Sequence, residues 1–355
     1  MAKKSSESNE ITLKLSEAGD LLRRIGLYNS DLADHPRRWE EPVVPYLQSP
    51  PGTGKTSLCW QVAADLGYEF RGFIGAQYDP AEMAGFIFFD KDTRETWRAK
   101  PDFLPAEGRW LLLCDEFAQM TMMQKNIMAQ LIQERRLGEH KLSPYATLVL
   151  AGNRARDRAG VQPDPSHVLD RVFIIYVQAD REEWEKWALS HGIRQELISW
   201  IRMRPEHFDL FDPELTKSCT PRGLVKVSVF LDMNLPSNVE LAAIQGQIGS
   251  GPAADFVGFL RVYRDLPDID GIINNPKKAM VPDVRKQPDV VYAVCGALSS
   301  RATNDNISKI IEYGKRLPPE FCTMMMKDIF QRDSSLMLNK MAGQWMAGEA
   351  RDLLV

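Results

Sequence analysis

The stretch LQSPPGTGKTS at residues 47–57 constrains the fold of this chain more than any other feature. An apolar run leads into it and apolar residues at helical spacing follow it, so a buried strand, a glycine-rich loop and a helix are predicted in succession. Gly52 and Gly54 let the backbone turn tightly, so that successive amide groups point at one anion. The helix beginning near Lys55 adds the positive end of its dipole. A phosphate-binding loop is therefore predicted here.

Nine consecutive residues of this loop are expected to hold a nucleotide: Ser49, Pro50, Pro51, Gly52, Thr53, Gly54, Lys55, Thr56 and Ser57. Lys55 is predicted to reach the β- and γ-phosphates, and the Thr56 hydroxyl is predicted to bind Mg²⁺. Ser49 stands where the usual pattern has its first glycine, and serine can take the same turn if its φ angle is negative. The sequence predicts a nucleotide-binding protein.

A second apolar run, at residues 110–114, ends in the acids Asp115 and Glu116. This pattern is typical of a buried parallel strand, whose C-terminal end is where α/β sheets bind ligands. Asp115 is predicted to hold the magnesium ion, directly or through water. Glu116 is predicted to orient and deprotonate the water that attacks the γ-phosphate. Two acids at a strand end can also form a solvated helix cap, but their place after a phosphate-binding loop favours the catalytic interpretation.

Three further positions are candidates for contacts with phosphate. Asn153 ends the apolar run at residues 147–153 and could bind the water or the γ-phosphate, although an isolated asparagine is more often a turn former. Arg171 precedes the apolar residues of a strand predicted at 169–177, where it could face a neighbouring subunit; an ordinary salt bridge is the alternative, and Arg154 is the second candidate. Arg222 lies at a predicted helix start, which is unfavourable for the helix dipole and indicates a partner such as phosphate.

Composition places further limits on function. The chain has 355 residues, 44% hydrophobic and 26% charged, which is typical of a soluble globular protein of about two or three domains. Its net charge of −4 provides no general attraction for nucleic acid or an anionic membrane. The five cysteines and five histidines show no metal-binding spacing, so no transition-metal site is expected. No apolar run approaches ~18–20 residues, so we expect no membrane span or signal peptide and a reducing cytoplasm.

The order of predicted elements indicates an α/β fold with a parallel sheet, followed by helices. Strands are predicted near residues 43–47 and at 68–74, 110–116, 147–153 and 169–177. The predicted domains are a disordered tail at 1–10, an α/β core at 11–178 with an inserted β-hairpin at 86–98, a helical lid at 179–235 and a helical C-terminal region at 236–355.

In this order, the motifs resemble those of the AAA+ ATPases, specifically the MoxR-like branch with an insert in the second helix. The resemblance covers residues 10–235 approximately, and the C-terminal region that follows is similar to that of bacterial and phage members encoded beside von Willebrand factor A-like proteins. Phe117 and Ala118 depart from the DEIN form usual after the two acids in MoxR proteins. The matching segments are Walker A at 49–56, Walker B at 114–116, sensor 1 at 151–153, the arginine-finger segment at 169–173, the sensor-2 helix start at 220–222 and the helix insert at 86–98.

This resemblance implies a P-loop core with five parallel strands in the order 5-1-4-3-2 and a helical lid. It implies ATP and Mg²⁺ as cofactors and a homo-oligomeric ring, usually a hexamer, in the cytoplasm of a bacterial or phage-infected cell. Arg171 would act on ATP of the neighbouring subunit and stabilise charge on the transferring phosphoryl group. The residues acting within one subunit would be Lys55, Thr56, Asp115, Glu116, Asn153 and Arg222.

The leading functional hypothesis is a chaperone-like ATPase that remodels or activates a protein partner, with a von Willebrand factor A-like protein as one candidate. The alternative is an AAA+ nucleic-acid motor or helicase loader in bacterial or phage DNA metabolism, which the acidic balance disfavours. A nucleotide-gated scaffold without hydrolysis is a third possibility, against which Lys55 and Glu116 argue. Kinases and GTPases are less favoured, because no NKxD motif is present.

The inserted hairpin admits two interpretations. It is either a pore or partner-contacting loop, or a passive surface hairpin. Its aromatic side chains are costly to leave exposed together, namely Phe86, Phe88, Phe89 and Trp97.

Overall fold

The computed structural model describes residues 11–37, 39–154, 157, 162–266 and 268–348. The tail predicted to be disordered, and Arg156 and Arg158 of the loop after Asn153, lie outside these residues. The chain divides into two compact units, residues 1–180 and 181–355. The proposed boundary between lid and C-terminal region at 235/236 stays a prediction.

The first unit is built on a sheet of six parallel strands. They are β1 (Thr12–Lys14), β2 (Pro45–Gln48), β3 (Glu69–Ile74), β6 (Trp110–Asp115), β9 (Thr147–Gly152) and β10 (Phe173–Gln178). Two small hairpins accompany the sheet, formed by β4 (Ile87–Phe89) with β5 (Thr96–Arg98) and by β7 (Arg136–Leu137) with β8 (His140–Lys141). The strand order in the sheet is β1-β10-β2-β9-β6-β3. Without β1 this is the predicted order 5-1-4-3-2, so the predicted fold class is confirmed.

The sixth strand, β1, is a difference from the prediction. The amphipathic pattern at residues 13–25 predicts a helix that begins at Leu13, but Leu13 pairs with Val177 of β10. The fifth core strand also differs, because it was predicted to begin at Leu169 and begins at Phe173. Leu169 instead ends a short helix that begins at Ser166.

In the described part of the first unit the α-helices are α1 (Leu15–Asp34), α2 (Lys55–Leu66), α3 (Pro80–Met83), α4 (Met122–Glu134) and α5 (Ser166–Leu169). The charged, proline-bearing residues 31–41 predict a loop, but helix α1 continues to Asp34. Its Asn29 side chain donates to the Val43 carbonyl (3.0 Å) and accepts from the Val43 amide (2.8 Å), which joins the helix to the start of β2. The sequence pattern at residues 120–138 predicts a helix up to Gly138, but α4 ends at Glu134, because Arg135 takes a φ of 55° and the chain turns into the β7–β8 hairpin.

The sheet is buried on both faces, as its continuous apolar strands predict. Leu111 and Leu113 of β6 belong to the apolar cluster that includes Leu22 and Val62 of α1 and α2. The alternate residues of β6 belong to the cluster that includes helix α4. This two-sided burial fixes the register of the strands whose ends carry the polar residues.

The second unit consists of helices. They are α6 (Arg181–Ser190), α7 (Gln195–Met203), α8 (Pro221–Asp232), α9 (Ser237–Ile248), α10 (Ser250–Arg264), α11 (Ile269–Asn274), α12 (Pro288–Arg301), α13 (Ile307–Gly314), α14 (Pro319–Arg332) and α15 (Lys340–Gly348). One apolar cluster joins α6 to α10, and a second joins α11 to α15. No helix within the described ranges is long and apolar enough to cross a membrane.

A buried ionic network links helices of this second unit. Arg202 of α7 donates through Nε to Glu185 of α6 (2.7 Å) and through Nη2 to Asp328 of α14 (2.7 Å). The side chains of Glu185 and Asp328 are 10% and 4% exposed. Because these charges are withdrawn from water, Arg202 and Asp328 depend on each other for their stability, while Glu185 also pairs with Arg181 at 2.9 Å.

Candidate nucleotide-binding site

The loop after β2 has the backbone geometry that its glycines were predicted to provide. Gly52 and Gly54 have φ angles of 84° and 112°, in the left-handed region that favours glycine. Gly54 is also the N-cap of α2, which begins at Lys55. Ser49 is buried and does not have a positive φ angle, so a serine can replace the first glycine of the usual pattern here. The amides at the start of α2, together with the positive end of its helix dipole, therefore form a place where an anion can bind.

The Lys55 ammonium connects this loop to the end of β9. Its Nζ donates to Ser49 Oγ (2.9 Å), the Ser49 carbonyl (3.1 Å) and the Pro50 carbonyl (3.3 Å). It also donates to Asn153 Oδ1 at 3.2 Å. The serine hydroxyl therefore provides a partner that glycine could not.

A pair of oxygen ligands lies beside the lysine. Thr56 Oγ1 donates to Asp115 Oδ2 at 2.7 Å, which joins the first turn of α2 to the end of β6. The other carboxylate oxygen of Asp115 accepts from the Glu116 amide at 2.9 Å. Hydroxyl and carboxylate oxygens are the ligands that Mg²⁺ prefers, and this pair fits a cation that also binds phosphate oxygens.

Glu116 adopts a sparsely populated backbone conformation. Its φ and ψ angles are 55° and 29°, and its carbonyl accepts from the Gln119 amide (2.9 Å) in the short helical turn Phe117–Gln119. A left-handed conformation at a residue other than glycine costs on the order of 1 kcal/mol or more and is concentrated at functional sites. The turn directs the chain away from the sheet immediately after Asp115.

The segment preceding Asn153 packs closely against this turn. A Cβ placed on Gly152 would lie 2.9 Å from Ala118 Cβ and 2.9 Å from Tyr46 Oη. Only a residue without a side chain fits between β2 and the turn after Glu116. The ends of β2, β6 and β9 are therefore fixed relative to one another.

The two candidate arginines of the first unit differ in their partners. Arg154 is engaged within its own chain, because its Nε and Nη2 donate to the buried Asp157 carboxylate at 3.1 and 3.0 Å. Arg171 lies between α5 and β10, where its Nη1 donates to the His167 carbonyl. No ion pair of Arg171 occurs within the described ranges.

Arg222 belongs to the second unit. It is exposed in the first turn of α8, whose N-cap Thr220 accepts from the Gly223 amide at 3.3 Å. The first unit by itself thus brings together Lys55, Thr56, Asp115 and Asn153, with Glu116 next to Asp115.

Burial controls the ionisation of nearby thiols and of one tyrosine. Burial raises the pKa of Cys59 and of Cys114 well above the usual range, so both stay neutral thiols. Burial also raises the pKa of Tyr46, with the Asp164 carboxylate as a further cause. Among the described residues, no three His, Cys, Asp or Glu side chains form a group that could hold a metal ion.

Sequence reasoning missed a buried cation behind this site. Lys125 of α4 is fully buried and forms an ion pair with Asp164 (Nζ–Oδ1 2.7 Å). The signal was available, because Lys125 lies three and seven residues before Met128 and Ile132, on the apolar face of its helix.

The solved structures compared here are remote likenesses of this chain. No protein-family model matches the chain, and no curated protein matches it. A point mutant of Thermotoga maritima RuvB is 16% identical, with 80% of this chain and 84% of that chain covered and a TM-score of 0.38. The Thermotoga maritima RuvB Holliday junction branch migration motor is 15% identical over 79% of this chain and 80% of its own, with a TM-score of 0.35.

A third solved structure, from Cytophaga hutchinsonii and named a putative ATPase, is 13% identical, with 89% of this chain and 79% of that chain covered and a TM-score of 0.34. Likenesses at this level assign neither an activity nor a family to the chain.

Proposed function

We propose that this protein is a magnesium-dependent ATPase of the AAA+ type. The observation that carries the proposal is the convergence of Lys55, Thr56, Asp115 and Asn153 at the carboxyl ends of three parallel strands, with Glu116 at the same edge. Phosphoryl transfer needs a cation on the phosphates, oxygen ligands for magnesium and polar groups that orient the attacking water, and these side chains provide all three. The same edge is where ligands bind in open parallel sheets.

In this proposal the chain provides positioning and charge. The amides at the start of α2 and the Lys55 ammonium bind the phosphates, while Thr56 and Asp115 hold the magnesium ion, which neutralises charge on the β- and γ-phosphates when bound. Glu116 accepts the proton of the attacking water, and Asn153 donates through its amide to that water or to the γ-phosphate. ATP would replace the loop carbonyls as a partner of the Lys55 ammonium.

A ring completes the site. Arg154 is paired with Asp157, whereas Arg171 forms no described ion pair, which supports Arg171 as the residue that acts on ATP of the neighbouring subunit. Arg222 at the exposed start of α8 would contact phosphate from a helical lid. A MoxR-like hexamer with residues 179–235 as its lid is the arrangement we propose.

The substrate proposed for the ring is a protein. Phe86, Phe88 and Trp97 on the inserted hairpin are 53%, 48% and 49% exposed, and Phe88 stacks on Trp97 at a centroid distance of 4.8 Å. The six-residue turn between the two strands carries three acids and two basic residues, at 90–95. This balance fits an apolar polypeptide segment better than a phosphate backbone.

The second candidate function is a nucleic-acid motor, because exposed aromatic rings can also stack on bases. Stimulation of ATP hydrolysis by single-stranded DNA that disappears with added salt would favour it. Stimulation by an apolar peptide, without an effect of DNA, would favour the protein substrate.

Lys55→Ala tests the assignment of the site. The wild-type protein is expected to bind Mg-ATP and release phosphate, and the variant is expected to lose binding because the phosphates lose their cation. The exposed Lys141→Ala serves as the matched control and should behave as wild type. An ATP affinity that is unchanged in Lys55→Ala would refute the proposed loop.

A further inference from the structure

The buried lysine of α4 contacts two separate segments of the first unit. The side chain of Lys125 is 0% exposed. Its Nζ donates to the Gln162 carbonyl at 2.7 Å and to the Ala118 and Pro163 carbonyls at 3.3 Å. Burial of an ammonium is unfavourable unless its hydrogen bonds and charge are satisfied, and here three carbonyls and one carboxylate satisfy them.

The carbonyls come from segments that carry two of the proposed functional residues. Ala118 lies two residues after Glu116, in the turn that its left-handed conformation begins. Gln162 and Pro163 lead into α5, and Arg171 follows that helix. The Gln162 amide also donates to the Ala118 carbonyl at 2.8 Å, so a backbone hydrogen bond joins the two segments directly.

Asp164, the counter-charge of Lys125, connects these two segments to the sheet. Asp164 Oδ1 lies 2.7 Å from Lys125 Nζ, and Asp164 Oδ2 accepts from Tyr46 Oη of β2 at 3.3 Å. Tyr46 packs edge-on against Phe117 with ring centroids 5.4 Å apart, and the ammonium lies 5.6 Å from the Phe117 centroid. An apolar residue at position 125 would fill the space but would leave the Gln162 and Pro163 carbonyls without this donor, while the Ala118 carbonyl would keep only the Gln162 amide.

We propose that Lys125 is a positioning residue that couples the turn carrying Glu116 to the segment leading to Arg171. The inference rests on the proposed function for the roles of Glu116 and Arg171. In a ring, Arg171 acts on the neighbouring subunit's nucleotide and Glu116 on the subunit's own. A displacement of the Arg171 segment would therefore be transmitted through the Lys125 ammonium to the water-activating glutamate of the same chain.

The kinetic test compares Lys125→Met with the double variant Lys125→Met/Asp164→Asn and with the exposed control Lys141→Met. We expect both Lys125 variants to lower kcat by about tenfold or more, with the KM and the affinity for Mg-ATP within about threefold of wild type. The double variant removes the unpaired carboxylate and keeps the test valid if the single variant folds poorly. Recovery of wild-type kcat in the double variant would overturn the proposal, because Lys125 would then act only as a counter-charge.

Hydrogen exchange gives a second readout that does not depend on activity. The amides of Gln119, Met120, Gln162 and Val168 are hydrogen-bonded within the two segments. In Lys125→Met, peptides from both segments should exchange about tenfold faster or more, while Lys141→Met should match wild type. Faster exchange in one segment alone, or in neither, would overturn the coupling. If the wild-type protein does not hydrolyse ATP, the proposed function fails, and the exchange result still decides whether Lys125 joins the two segments.

Discussion

The variant Gly152→Ala probes the packing that holds the ends of three strands together. The added methyl carbon would lie 2.9 Å from Ala118 Cβ, 2.9 Å from Tyr46 Oη and 3.1 Å from the Ala118 amide nitrogen. Non-bonded carbon atoms prefer separations of about 3.5–4.0 Å, so at least one neighbour must move by about half an ångström. Tyr46 and Gly152 are held in paired strands of the sheet, whereas Ala118 lies in a short helical turn, so the turn after Glu116 is the part expected to shift.

Three magnitudes follow from this displacement, namely the changes in Tm, in kcat and in the affinity for Mg-ATP. Overpacking of a buried site costs about 1–3 kcal/mol, and a cost of about 2 kcal/mol corresponds to a Tm that is lower by about 4–8 °C in a unit of this size. Displacement of Glu116 by a fraction of an ångström should lower kcat by about tenfold or more, because misplacement by about 1 Å can cost about 100-fold. The affinity for Mg-ATP should change by less than about threefold, since the loop contacts of Lys55 are retained.

Thermal unfolding measures the change in Tm, and equilibrium binding measures the affinity for Mg-ATP. Phosphate release at saturating Mg-ATP measures kcat. Gly258→Ala is the matched control, because Gly258 lies inside α10 and, apart from its chain neighbours and the adjoining backbone of the helix, no atom lies within 4 Å of an added Cβ. It should raise stability by up to about 1 kcal/mol and leave kcat unchanged. If Gly152→Ala also keeps the wild-type Tm and kcat, the turn is not held against β9 as described.

Three further predictions concern the ring, the second unit and the thiols. Arg171→Ala should bind Mg-ATP normally but hydrolyse it about 1,000-fold more slowly or worse, and should impair wild-type neighbours in mixed rings; normal phosphate release would place the acting arginine elsewhere. Arg202→Met leaves Asp328 buried without its cation and leaves Glu185 with only the partly exposed Arg181 (2.9 Å), so urea unfolding of the second unit should show a loss of about 3–5 kcal/mol, and an unchanged midpoint would contradict the network. Burial raises the pKa of the Cys219 thiol to about 12 from 9.0, so its contribution to stability is complete below pH 9 and is lost as the pH rises from about 9 towards 12. The urea midpoint should therefore fall more steeply above pH 9 than in Cys219→Ala, and identical pH profiles would count against this.

The fold was predictable because its signals are local. Each core strand is a short apolar run, and the polar residues that follow the runs mark one edge of a parallel sheet. Three residues at 12–14 gave no such signal, since β1 is defined by the free edge of β10 rather than by its own pattern. The start of the fifth strand was also missed, because the apolar Leu169 belongs to α5 and only tertiary packing separates the two elements.

In the candidate site, too, the residues that belong to local motifs were predictable, and those that depend on the folded chain were not. Lys55, Thr56 and Asp115 follow from motifs whose spacing is set by one loop and one strand. The hydroxyl of Ser49 as a partner of the lysine, and the buried contacts of Lys125, depend on how the folded chain brings these groups together. Such contacts leave a weak trace in the sequence, in this case a lysine on the apolar face of a helix.

The native mass of Glu116→Gln, measured with and without Mg-ATP, tests the central claim most directly. Loss of the proton acceptor should trap bound ATP, and ATP bound between subunits should hold the ring together. We predict retained ATP and a shift to about 242 kDa, the mass of six copies of the 40.3 kDa chain. A monomer of unchanged mass under both conditions would contradict the proposed nucleotide-assembled ring.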